Sequence, residues 1–252
     1  MQVIRVSAMK QSFYARLMGD SVLCLDRSKG LDAPIPLSQV VILPLAVPSK
    51  IVCLAAGAAG GGPGLFLKPP TAVIGPGGTI VVPREAGRVD YAGGLAVVVG
   101  RTCRNLRPED APAHIFGYAC AADVTARDLL EHDGLPARAK GFDTFAPVGP
   151  WIETDVEDPT ALAVSVLVGG RAVAQASTAD LPADPWTALS IVSRVMTLLP
   201  GDVVFAGAPG APVPIAPGDE VAVEIAGLGR LINSVAGAPD DAARDEGAAP
   251  LQ

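Results

Sequence analysis

The sequence predicts a β-rich α/β fold. Short runs of β-branched and other apolar residues recur along the chain. Turn residues separate them, drawn from 28 Gly and 24 Pro in 252 residues. Only one helix is strongly signalled, and strand does not alternate regularly with helix, which disfavours a doubly wound parallel sheet. The length allows one large domain or two modest ones.

Residues 1–49 read as a small N-terminal β-rich unit. Phe13–Leu17 and Val22–Leu25 flank Met18-Gly19-Asp20-Ser21, which has hairpin-turn chemistry. Pro48-Ser49 marks a boundary, and Lys50–Leu54 follows as a buried strand. The main domain then extends over residues 50–235. Val73-Ile74 and Ile80–Val82 flank Gly75-Pro76-Gly77-Gly78. Residues 162–168 and 171–176 flank Gly169-Gly170, a two-residue turn signal of the I′ type. Asp219–Ile225 and Arg230–Val235 form a late pair around Gly227-Leu228-Gly229. The main helix starts at a capping Asp184 with Pro185 in the first turn. Leu189, Val192, Met196 and Leu199 lie on one face, and Pro200-Gly201 ends it. A shorter helix begins near Thr125 or Ala126 and ends at Gly134. Residues 236–252 are Ala, Gly, Pro, Asp and Glu for the most part and are expected to be a disordered tail.

Composition excludes several classes. The net charge is −7 with no basic cluster, which argues against nucleic-acid binding. No window is apolar for the length of a membrane span, and the N-terminus has no signal pattern, so a cytoplasmic location is expected. The cysteines at 24, 53, 103 and 120 have no metal or redox spacing and read as reduced core thiols. His114 and His132 read as surface residues.

One stretch stands out. In Val89-Asp90-Tyr91-Ala92-Gly93-Gly94-Leu95, the chain approaches a core strand through three nearly side-chain-free residues. Its neighbours explain the context. Leu65-Phe66-Leu67-Lys68-Pro69-Pro70, Ile74-Gly75-Pro76-Gly77, Val89-Asp90-Tyr91 and Leu95–Gly100 occur in order. Phe116-Gly117-Tyr118, Ala122–Asp128, Ala139–Thr144 and Leu199–Asp202 follow. Over roughly residues 45–235 this pattern resembles the fumarylacetoacetate hydrolase family, including its isomerase/decarboxylase members. The resemblance implies a mixed β roll, α/β and β-rich, usually dimeric. It also implies chemistry through a metal-bound enolate of a 2-oxo acid.

Within the resemblance, Lys140 and Asp123 fall on catalytic positions. Arg127, Asp128 and Lys68 fall on substrate-binding ones, with fold-bracing hydrogen bonds as the competing reading. Asp123 is also the remaining metal ligand. The two glutamates that the family carries just after its tyrosine are replaced by Ala92 and Gly94. Asp90 shares their face but lies about 6.6 Å further along the strand; Glu85 is farther. The family's His–Glu pair on a lid helix is missing from Ala55–Gly64, Leu130 replaces a glutamine, and Ala208 replaces a threonine. The expectation is therefore no tightly bound cofactor, with Mg²⁺ or Mn²⁺ held at low affinity. Two functions stay open. One is an isomerase/decarboxylase- or hydrolase-like enzyme acting on a small 2-oxo (enol) carboxylate, impaired or metal-independent. The other is a non-catalytic paralogue acting as a scaffold or binding subunit of an active family member. The expected assembly is a homodimer or a heterodimer with such a member.

Overall fold

The structure is a computed structural model that describes residues 1–55, 57 and 62–239. Two sheets dominate it. Along the larger one, the strand order is Ile35–Pro36, Ser21–Cys24, Gln11–Met18, Gln2–Ala8, Ala146–Glu153, Ile115–Ala126, Val89–Val99, Val203–Gly207, Ile51–Ala55, Gly64–Lys68. The smaller sheet runs Arg171–Ser177, Ala163–Val168, Glu220–Ile225, Gly229–Gly237, Thr79–Val82. The result is the expected mixed, β-rich α/β roll.

The central strand Val89–Val99 shows why its sequence is apolar on both faces. Tyr91, Leu95, Val97 and Val99 face a core shared with the second sheet, among them Val166, Val223 and Leu231. Ala96 and Val98 face another core that includes Val3, Val6 and Phe13 of the N-terminal strands. Burial on both faces removes the hydrophobic–polar alternation of a half-exposed strand. The N-terminal unit continues the same sheet, with Gln2 and Val3 pairing with Glu153 and Ile152.

Local chemistry sets many boundaries. Gly169 and Gly170 have φ of 56° and 75°, as an I′ turn requires, and join their strands in a hairpin. Asp184 caps the helix Pro185–Val195 by accepting the N–H groups of Trp186 and Thr187, each at 3.0 Å. Gly134, with φ 65°, terminates the helix Arg127–Asp133.

Other expectations are corrected. The main helix stops at Val195. Met196 is extended, and Leu198 bridges to Cys103 instead of continuing the apolar stripe to Leu199. Val73-Ile74 and Thr79–Val82 do not pair with each other, because each joins a different sheet in a parallel pairing. Ala236 and Gly237 belong to the strand Gly229–Gly237, opposite Val81 and Val82. Residues 240–252 of the expected tail lie outside the described residues. A further helix, Pro136–Gly141, carries Lys140.

Candidate active site

Antiparallel pairing sets Ala92 directly opposite Asp123, so both side chains share one face of the sheet. On that face is a cavity of about 690 Å³. Ala92, Asp123 and Lys140 border it, with Phe66, Phe205 and Ala208. The expected lid region is only partly described. Ala55, Gly57, Gly62 and Pro63 border the cavity, while positions 56 and 58–61, which the lid expectation also covers, lie outside the described residues.

Asp123 is the hub of the charged groups. One carboxylate oxygen, Oδ2, accepts a hydrogen bond from Lys140 Nζ, and Lys140 also donates to Thr125 Oγ1 at 2.7 Å. The other oxygen lies 2.9 Å from Lys68 Nζ. Lys68 is 2% exposed, and its Nζ donates to the carbonyls of Val124, Lys140 and Phe145 at 2.8, 2.9 and 2.9 Å. Those bonds use all three ammonium hydrogens, which leaves Asp123 Oδ1 in ionic contact without a hydrogen bond. Burial raises the Asp123 carboxyl, but the two ammonium groups outweigh it and hold the carboxyl below its ordinary value. Burial pushes the Lys68 ammonium down, against the upward pull of Asp123. Beneath them, burial drives the Cys53 thiol far above the ordinary range, so it stays protonated.

Lys68, Asp123 and Lys140 thus form one cluster. Lys140 and Asp123 border the cavity, whereas Lys68 braces them from inside. Arg127 and Asp128 lie elsewhere. Arg127 Nε donates to Asp90 at 3.0 Å, and Asp128 accepts the N–H groups of Gly87 and Arg88 at 2.8 and 3.3 Å. Asp90 also pairs with Arg88 at 2.9 Å, so its carboxylate is occupied away from the cavity. The sequence reading missed Thr125 and Asp180, which also border or support the site. Strand alternation could have found Thr125, two residues after Asp123. Asp180 sits in a turn where it accepts the Ser177 N–H, and only the Ser-x-x-Asp pattern hints at it.

The donor set does not fit a tightly held divalent ion. Position 92 offers a methyl group. At position 94, a Cβ would sit 2.0 Å from the carbonyl oxygen of Gly207, so backbone fills the space of a side chain. Both Asp123 oxygens face ammonium groups. Among the described residues, no group of three His, Cys, Asp or Glu side chains could hold a metal.

The fumarylacetoacetate hydrolase C-terminal profile matches residues 55–236. The chain belongs to this family. A solved 2-hydroxyhepta-2,4-diene-1,7-dioate isomerase from Mycobacterium marinum is 36% identical to it, with a TM-score of 0.87 over 95% of this chain and 100% of that one. Maleylpyruvate hydrolase from Sphingobium sp. SYK-6, solved with manganese(II) and pyruvate, is 31% identical, with a TM-score of 0.81 over 95% of this chain and 100% of that one. The mitochondrial oxaloacetate tautomerase Fahd2a of Rattus norvegicus is 33% identical over 241 residues, covering 86% of this chain and 77% of that protein. Family members of this fold thus include isomerases, a tautomerase and hydrolases.

Proposed function

We propose that the chain binds a small 2-oxo (enol) carboxylate beside Lys140 and interconverts its keto and enol forms without a tightly held metal ion. The supporting observation is the Lys140–Asp123 pair opening on the cavity, with backbone in the space where a second metal ligand would stand. An ammonium donor at the oxo oxygen stabilises the negative charge that develops as a proton leaves the adjacent carbon. A single preorganised donor of this kind contributes about 10²–10³-fold.

Hydrolysis asks for more. Water must be activated, and among the described residues no His or Glu borders the cavity, while the Asp180 carboxylate there is engaged by the Ser177 N–H. Asp123, held ionised by two cations, is a poor proton acceptor. Tautomerisation needs only the polarised oxo group and exchange of the carbon-bound proton with solvent. The test follows the ultraviolet absorbance of the phenylpyruvate enol as it converts to the keto form, using protein treated with EDTA. The expected result is acceleration over buffer that Lys140→Met abolishes. Acceleration that disappears with EDTA and returns with Mn²⁺ would overturn the metal-independent reading.

The alternative of a subunit in a dimer, with a copy of itself or with an intact relative, draws support from the surface. Val41 and Ile42, in the strand Val41–Leu43, and Val47 shortly after it are 64%, 49% and 65% exposed. Mass measurement in solution, alone and mixed with an active family member, tests it. A monomer under both conditions would remove this reading.

A further inference from the structure

The charge layout of the same cavity goes beyond the reaction. Three charged residues border it among the described residues: Lys140, Asp123 and Asp180. Lys68 is not on its wall, and its hydrogen bonds are spent on three carbonyls. Segment 56–61 is alanine and glycine throughout, so it brings no charged side chain. The rest of the wall is mainly apolar, including Leu54, Phe66, Phe205, Pro209 and Pro212.

Lys140 has one hydrogen to spare. Its ammonium carries three, of which Asp123 and Thr125 take two. The Phe66 ring lies 4.5 Å from Nζ. One end of an anionic ligand can therefore be met at Lys140. Among the described residues, a second anionic end has no cation on the wall to meet. Held within the cavity, it would lie against apolar wall or face Asp180, and either placement costs binding energy.

We infer that the site selects 2-oxo acids with one carboxylate and an uncharged, apolar remainder, and discriminates against dicarboxylates. This rests on reading the cavity as a 2-oxo acid site. Unpaired burial or like-charge contact at a partly solvated position corresponds to a preference of at least about tenfold.

Isothermal titration of EDTA-treated protein with 2-oxohexanoate and 2-oxoadipate, equal in carbon number, tests the inference. The expected outcome is tighter binding of 2-oxohexanoate by at least about tenfold. Asp180→Asn should narrow the ratio by improving 2-oxoadipate. Because Asp180 also caps a turn, Ala208→Lys provides a second route by adding a cation to the wall, and it should narrow the ratio as well. Equal affinities, or tighter 2-oxoadipate, would overturn the selectivity and leave the 2-oxo acid reading standing. Binding of neither ligand by protein with a native circular dichroism spectrum would overturn both.

Discussion

Asp123 is one carboxylate shared by two ammonium groups, and both its titration and its removal have readable consequences. Its carboxyl is lowered in the folded chain and returns to about 3.9 on unfolding. The unfolded state therefore takes up protons first as the solution is acidified. The stabilisation from this group is complete above the unfolded value and drains away as pH falls through the folded one. Urea midpoints measured from pH 6 down to pH 2 should fall steeply below about pH 4 in the native protein. The fall should be shallower in Asp123→Asn, whose starting stability is already lower. Lys68→Met should cost about 3–5 kcal/mol by chemical denaturation, because it removes one side of a buried pair and takes a donor from three carbonyls. That Lys68, Asp123 and Lys140 meet was legible because each sits in a short motif with a neighbouring Pro, Thr or Gly, but the position of Lys68 behind the cavity wall was not. Arg127 and Asp128 sit in an equally clear motif, yet they brace Asp90 and the Gly87–Arg88 backbone. A motif identifies a residue, but the direction of its side chain is set by packing that the motif does not contain.

At the scale of one strand, the Ala92-Gly93-Gly94 stretch separates into three environments. Ala92 borders the cavity. A Cβ at Gly93 would meet Val166 and Val223 at 2.9 Å, and one at Gly94 would meet the Gly207 carbonyl oxygen at 2.0 Å. Ala92→Glu is expected to cost less than about 1 kcal/mol, whereas Gly94→Ala should cost at least about 3 kcal/mol or fail to fold. Thermal melts of the two variants check this. Placing glutamates at both 92 and 94 to create metal ligands is blocked at position 94 by close backbone approach, not by a left-handed backbone. Glycine serves both needs, so the residue type alone does not separate them. Turns were the readable part of the elements, since Gly169-Gly170 and Asp184 act through local chemistry. Pairing partners of Val73-Ile74 and Thr79–Val82 were not, because a glycine-rich loop between two strands does not say whether the strands meet.

For the whole molecule, the N-terminal segment is part of the principal sheet. Val3, Val6 and Phe13 cover Ile51, Cys53, Ala96, Val98, Val203 and Phe205. A chain starting at residue 50 would expose that core, and it is expected to be insoluble or molten, as expression with near-ultraviolet circular dichroism would show. Asp202 fastens the same region. It is fully buried and accepts hydrogen bonds from the N–H groups of Ser49 and Leu199, at 2.9 and 2.8 Å, and it pairs with Lys50. Asp202→Ala should therefore lower stability by about 3–5 kcal/mol, measured by urea titration. The family and the fold were readable from ordered motifs. The continuity of the sheet was not, because the pairing of Gln2 and Val3 with Glu153 and Ile152 spans most of the chain.

The close contact between Gly94 and Gly207 also constrains descent. A glutamate at position 94 is unusable until the Gly207 backbone withdraws, and withdrawal alone brings no ligand. Neither step helps without the other, so a lineage carrying this contact has no gradual way to a carboxylate at position 94. The contact works as a ratchet. Later change is channelled toward refining the lysine-centred cavity, where single substitutions at Ala208 or Asp180 can act one at a time.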